Sequence, residues 1–152
     1  VSWKTSSLLT HSHLRNIELA KLLEPLKNLD LIFVNLQYGD VSKEIINLQL
    51  EHGIEVLEIP GLDLFSDIDG LAALISACDR IISIDNLNPH FAGALGVKTM
   101  LFLPKAADER WGLEPSRSYL YDDMVLYRQS SYNDWDQPLK KMKNDLEKLH
   151  SQ

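Results

Sequence analysis

Short β-branched runs alternate with segments of helical period along the chain, and this alternation limits what it can fold into. Runs suited to strands lie at residues 1–3, 31–36 (LIFVNL), 55–59, 80–84, 99–103 (TMLFL) and 124–128. Helical spacing or capping marks residues 14–26, 42–51, 67–77 and 89–95 between them. An amphipathic segment at 134–149 (Leu139, Met142, Leu146, Leu149) ends the chain, with Pro138 tolerated only in its first turn. Gly53 is placed to stop the second helix after His52, and Asp67 to cap the third. Consecutive parallel strands need crossovers, and helices supply them here. The pattern predicts an α/β fold, a Rossmann-like three-layer αβα arrangement around a mostly parallel sheet of about six strands with right-handed crossovers.

Ligands of such sheets sit beyond the carboxyl ends of the strands. Residues 4–7, 37–40, 61–67, 85–90 and 104–111 fall on that edge. The most informative stretch is RIISIDNLNPHFAGALGV at 80–97. Its β-branched run (Ile81, Ile82, Ile84) stops at Asp85. A turn-rich tetrapeptide, Asn86-Leu87-Asn88-Pro89, follows. His90 then opens a small-residue helix that Gly96 closes. First-turn N–H groups lack internal partners and the helix dipole adds positive potential, so the segment suits an anion. A strand-end acid accepts hydrogen bonds from sugar hydroxyls, and the pair of features describes a nucleotide-sugar site.

Each residue also has a plainer reading. Asp85 suits a helix cap, and His90 a hydrogen bond within its loop. Gly93 and Gly96 read as packing and helix-stop residues. Lys4, Thr5, Ser6 and Ser7 follow the first strand as either a phosphate-facing or a solvated loop. Gln37 closes the second strand, where it could read a base or ribose edge or bond its own loop. Arg15 could neutralise a diphosphate or lie on an exposed helix face. Residues 104–121 are long for a connection. Within them Trp111, with Arg110 and Arg117, either covers a ligand or packs beside an arginine. His11 and His13, without further ligands, read as surface residues, so no metal site is expected.

At 152 residues the chain fits one domain, and 45% hydrophobic with 24% charged residues is ordinary globular composition. A net charge of −7 argues against nucleic acid as a partner. The lone Cys78 excludes an internal disulfide and a multi-cysteine zinc site, and it suits a reducing compartment. No apolar run approaches membrane-spanning length. A cytoplasmic location without a membrane span is expected. The chain opens directly on a strand without an initiator Met, which reads as the excised C-terminal piece of a longer protein.

The run SIDNLNPHFAGALGVKTMLFLP at 83–104 resembles the C-terminal half of the heptosyltransferase-like glycosyltransferases, especially the version that follows tetratricopeptide repeats in bacterial proteins. Asp85, His90, Gly93 and Gly96 fit that family's spacing. FVNLQYGD at 33–40, DIDGLAALISACDRIISID at 67–85, DERWGLEPSRSYLYDDMVLYRQ at 108–129 and NDWDQPLKKM at 133–142 extend the likeness over nearly the whole chain. The resemblance implies the glycosyltransferase-B fold, with residues 1–152 as its nucleotide-sugar-binding domain. It implies an inverting, metal-independent transferase that needs no cofactor, the nucleoside-diphosphate sugar being substrate. An N-terminal acceptor domain, with tetratricopeptide repeats beside it, would supply the catalytic base, so the isolated chain would bind donor without turnover. Carried over, Asp85 would contact the donor sugar, Asn86, Leu87 and Asn88 would present donors to the diphosphate, and His90 would contact a phosphate. The chain departs from the pattern at Asn86, where Thr or Ser is usual, and at Leu87, where a small residue is usual. Pro89 also removes one N–H. These departures favour an alternative, a catalytically inactive interaction or scaffold module. A nucleotide-sugar 2-epimerase ranks last for want of paired acids.

Overall fold

The computed structural model describes residues 1–5 and 12–150. Strand β1 (Phe33–Val34) pairs in parallel with β2 (Val56–Leu57). Strands β3 (Ile81–Ile84), β4 (Thr99–Leu103) and β5 (Met124–Arg128) form a second, three-stranded parallel sheet in that order. Helices α1 (Leu19–Leu23), α2 (Ser42–His52), α3 (Ile68–Ser76), α4 (Asn88–Ala94) and α5 (Asp136–His150) alternate with the strands. The expected α/β class with parallel strands is therefore observed.

Residues 1–3 lie between the two sheets and bond to both. Ser2 N donates to Ile82 O (3.0 Å) and Ile84 N donates to Ser2 O (3.1 Å). On the other side Val1 N donates to Val34 O (2.6 Å) and Leu36 N donates to Val1 O (2.9 Å).

Strand alternation divides the core. Ile82, Ile84, Met100, Phe102 and Tyr127 pack with α1, α2 and α5, and buried Trp3 joins them. On the opposite face Ile81 packs with Leu71 and Ile75 of α3 and Ala92 of α4. Leu101, Leu103 and Leu126 pack around Trp111 on that side. Every residue of β3 and β4 is buried, as a parallel sheet covered on both faces requires.

Local signals in the sequence explain most element ends. Gly53 adopts φ 68° and returns its N–H to Gln49 O, closing α2. The Asp67 carboxylate accepts from Gly70 N (2.8 Å) at the start of α3. The helix expected over 14–26 is instead three pieces, a 3₁₀ turn at Ser12–Arg15, α1, and a 3₁₀ turn at Glu24–Leu26. Pro25 lacks the N–H needed to continue α1. The long segment 104–121 carries a 3₁₀ turn at Glu109–Trp111. It then runs beside β5, where Leu126 N donates to Ser116 O (2.9 Å) and Ser118 N to Met124 O (3.2 Å), covering the sheet edge. Among the described residues no helix is long and apolar enough to cross a membrane.

Gln37 fastens residues 1–4. Its Oε1 accepts from Ser2 Oγ (3.1 Å), Trp3 N (3.1 Å) and Lys4 N (3.0 Å), and the residue is 2% exposed. Gln37→Leu removes this acceptor and strands buried donors, so urea denaturation should show a loss of about 2–4 kcal/mol. A loss within experimental error would mean that the amide does not hold this segment.

Candidate functional site

Asp85 follows the last residue of β3 and takes the face opposite Ile82 and Ile84. It is 2% exposed. Its Oδ1 accepts from the Trp111 indole N–H at 2.9 Å. Its Oδ2 stands 3.4 Å from an Arg15 guanidinium nitrogen and has no hydrogen bond. The same nitrogen lies 3.4 Å from the Asp85 carbonyl oxygen. Arg15 thus reaches Asp85 from the segment after residues 1–3. The segment after residues 1–3 and the loop after β3 therefore meet at Asp85.

His90 lies in the first turn of α4. Its Nδ1 is 3.1 Å from the Tyr121 hydroxyl. The ring stacks on Trp111, with centroids 4.9 Å apart and planes 21° apart, and meets the edge of Tyr121. Nε2 is buried without a hydrogen-bond partner. When Tyr121 donates to Nδ1, the neutral ring carries its proton on Nε2, leaving an unused donor there. Burial disfavours the imidazolium and Arg110 repels it, so His90 titrates below its ordinary 6.5 despite the opposing pull of Asp85 and Asp108.

Trp111 is held from below. Arg128 donates to the carbonyl oxygens of Trp111 (2.6 Å), Gly112 (2.9 Å) and Glu114 (2.9 Å). Asp108 caps the turn by accepting from Arg110 N (3.1 Å) and pairs with the Arg110 guanidinium at 3.0 Å. Tyr121 in turn lies against Gly93.

The other residues singled out in the sequence are mostly engaged within the protein. Asn86 Nδ2 donates to Ser2 Oγ (2.7 Å), and its Oδ1 accepts from Asn88 N (3.0 Å). Asn88 Nδ2 donates to Leu36 O (2.9 Å), tying α4 to the end of β1. His90 N donates to Leu87 O (3.1 Å). The Asn88 and His90 amides of the short helix α4 are thus occupied, and Pro89 has none. Leu87 points outward, 53% exposed. Lys4 pairs with Glu44, which also accepts from Trp3 Nε1. Thr5 N donates to Asn16 Oδ1 (2.9 Å). Ser6 and His11 lie outside the described residues. Asp85, His90 and Arg15 therefore converge, while Gln37, Asn86 and Asn88 serve the frame beneath them.

Tyr121 and Arg128 escaped sequence reasoning, because nothing in their spacing ties them to a loop far away in the chain. The unusual length of 104–121 was the one available sign. Among the described residues, no group of His, Cys, Asp and Glu side chains stands ready to hold a metal ion.

No family model matches this chain. Protein FlbA of Caulobacter vibrioides is 39% identical over 83 residues, which is 55% of this chain and 14% of that protein. This chain thus matches only a small part of that relative's length. No solved structure matches.

Two outcomes follow from the packing around His90. A Cβ added at Gly93 would stand 2.4 Å from Tyr121 Cγ. Gly93→Ala is expected to destabilise by about 1–3 kcal/mol, and adding Tyr121→Ala should make the pair clearly non-additive. Strict additivity would show that the two do not meet. The second concerns pH. The folded state disfavours protonated His90, so its contribution to stability is complete above pH 6.5 and falls away as the pH drops below that value. NMR should place the His90 titration midpoint below 6.5. The stability gap between wild type and His90→Gln should narrow on acidification, and a midpoint above 6.5 would reverse the assignment.

Proposed function

We propose that this chain is the donor-binding domain of an inverting, metal-independent glycosyltransferase of the heptosyltransferase-like kind, taking a nucleoside-diphosphate sugar as substrate. On this reading the two sheets are halves of one sheet of about six strands. Its order would be β2, β1, residues 1–3, β3, β4, β5, and the backbone hydrogen bonds made by Val1 and Ser2 on both sides support it. The reading rests chiefly on the meeting of Arg15 with Asp85 at the point where that order reverses, with His90 and Trp111 beside them.

The chemistry such a site performs is charge handling. A departing nucleoside diphosphate gains negative charge as the glycosidic bond breaks. Arg15 would answer that charge as a cation and His90 as a neutral donor through Nε2. The unsatisfied Asp85 Oδ2 would accept from a donor hydroxyl. The acceptor and the base that deprotonates it belong, on this reading, to a further domain of a longer cytoplasmic protein that also carries helical repeats.

One observation favours the second reading, an inactive interaction module on the same fold. Asp85 is enclosed by the chain's own Trp111 and Arg15. Calorimetric titration with UDP, GDP and ADP, and with their sugar conjugates, separates the two. The donor reading expects binding that Arg15→Ala weakens about tenfold or more, the loss of a charge-assisted contact. Asp85→Asn should erase the extra affinity contributed by the sugar while leaving diphosphate binding in place. Absence of binding by every compound at millimolar concentration would leave the module reading standing.

A further inference from the structure

The amino ends of β1 and β3 lie away from Asp85, which follows the last residue of β3. There a cavity of about 620 Å³ opens beside Val1. Its walls include Leu31, Ile32 and Val34 on the β1 side, Ile82 on the β3 side, and Leu146 and Leu149 of α5. Ile32 is 79% exposed and Leu149 47%, so the cavity leaves apolar surface in water.

The backbone gives this cavity a direction. Neighbouring residues of a strand turn their N–H groups to opposite sides. Asn35 N donates to Leu57 O (2.8 Å) on the β2 side, and Leu36 N donates to Val1 O (2.9 Å) on the other. Val34 N–H takes the side of Leu36. In β3, Ile81 N donates to Lys98 O (2.8 Å) beside β4, and Ile84 N donates to Ser2 O (3.1 Å). Ile82 N–H takes the side of Ile84. Val34 and Ile82 both line the cavity, so it is a slot between two strands with one N–H presented from each wall. The register is set by Val1 N, which donates to Val34 O, and Ser2 N, which donates to Ile82 O. An extended chain running into Val1 would bring its last carbonyl to Ile82 N and the carbonyl before that to Val34 N. Burial holds the Val1 amine down at about 5, so near neutral pH it is uncharged and serves the ladder as a peptide N–H would.

We infer that the slot seats an extended polypeptide lead-in to residues 1–3, running parallel to β1 and β3, with an apolar side chain two places ahead of Val1. The side chain follows from alternation. Val1 and Trp3 face the core cluster that holds Leu146, and the second place ahead of Val1 takes the same face. The seat rests on the ladder and the cavity, not on the donor-binding reading. On that reading the lead-in joins this domain to the one that carries the acceptor.

The test places Ala-Thr-Val-Thr ahead of Val1 in one version of the chain and Ala-Thr-Asp-Thr in another. NMR then follows amide hydrogen exchange at Val34 and Ile82. The version with Val should slow exchange at both amides about tenfold or more and raise the Tm by about 2–4 °C. The version with Asp should do neither, because its carboxylate would meet Leu146 and Leu149. Unchanged exchange with the Val version overturns the seat. So does protection of Val34 and Ile82 in residues 1–152 alone that already equals that of Ile84, since their N–H groups would then not face the slot. Equal protection by both versions overturns the apolar place. Equal protection by the free peptide acetyl-Ala-Thr-Val-Thr-amide at millimolar concentration would assign the slot to a separate partner and overturn the lead-in. Titration of the same proteins with UDP, GDP and ADP keeps the two readings apart, because the donor reading fails only where no nucleotide binds, whatever the exchange shows.

Discussion

The backbone pairing of residues 1–3 with both β1 and β3 is the constraint on which the rest depends. It places the segment after residue 3 beside the loop after β3, although these are far apart in the chain. A buried polar chain reinforces that contact. Asn86 donates to Ser2 Oγ, Ser2 donates to Gln37, and Gln37 also accepts the amides of Trp3 and Lys4. Every member is satisfied by another, so the network fixes register where a partly satisfied one would weaken the core. Arg15 can reach Asp85 only because this frame has already aligned the two loops.

The frame also sets the balance of charge at this edge, where two carboxylates, Asp85 and Asp108, face Arg15 and Arg110 in a chain of net charge −7. Arg15, Arg110 and Arg128 all lie around Trp111 and Asp85. Arg128 is held by three carbonyl oxygens, and burial lowers its pKa. Carbonyl dipoles satisfy its donors without cancelling its charge. The guanidinium remains a charged donor while it holds the turn that carries Trp111. It also fixes the indole that hydrogen-bonds Asp85 and stacks on His90, so one guanidinium links the electrostatics of the edge to its shape.

Fold class was legible in the sequence because it depends on periodicity. Residues 81–84 and 99–103 appeared as strands where the structure has them, and Gly53 and Asp67 ended or began helices through their own backbone and side-chain chemistry. The inner arrangement of the site was less legible. Asn86, Asn88 and Gln37 have side chains equally suited to a ligand and to neighbouring loops, and their types do not distinguish the two. In the fold, each finds backbone or hydroxyl partners within reach. Trp111 reaches Asp85 because an irregular segment turns back over the sheet. No local pattern encodes that path. The continuity of residues 1–3 with both sheets likewise rests on long-range pairing.

On the donor-binding reading, Asp85 and Arg15 together restrict what this edge can accept. A carboxylate that is 2% exposed survives there because the indole donates to one oxygen and the guanidinium faces the other. Removing one partner from a buried ion pair costs about 3–5 kcal/mol, since it leaves a charge without compensation. On the donor-binding reading, an anion that draws Arg15 away imposes this cost on itself unless it also returns a hydrogen bond to Asp85. An unprotonated phosphate oxygen has nothing to donate to Asp85 and binds with that cost deducted. A sugar diphosphate carries the anion and the hydroxyls in one molecule, so on that reading the ion pair would select for the ligand able to satisfy both halves of it.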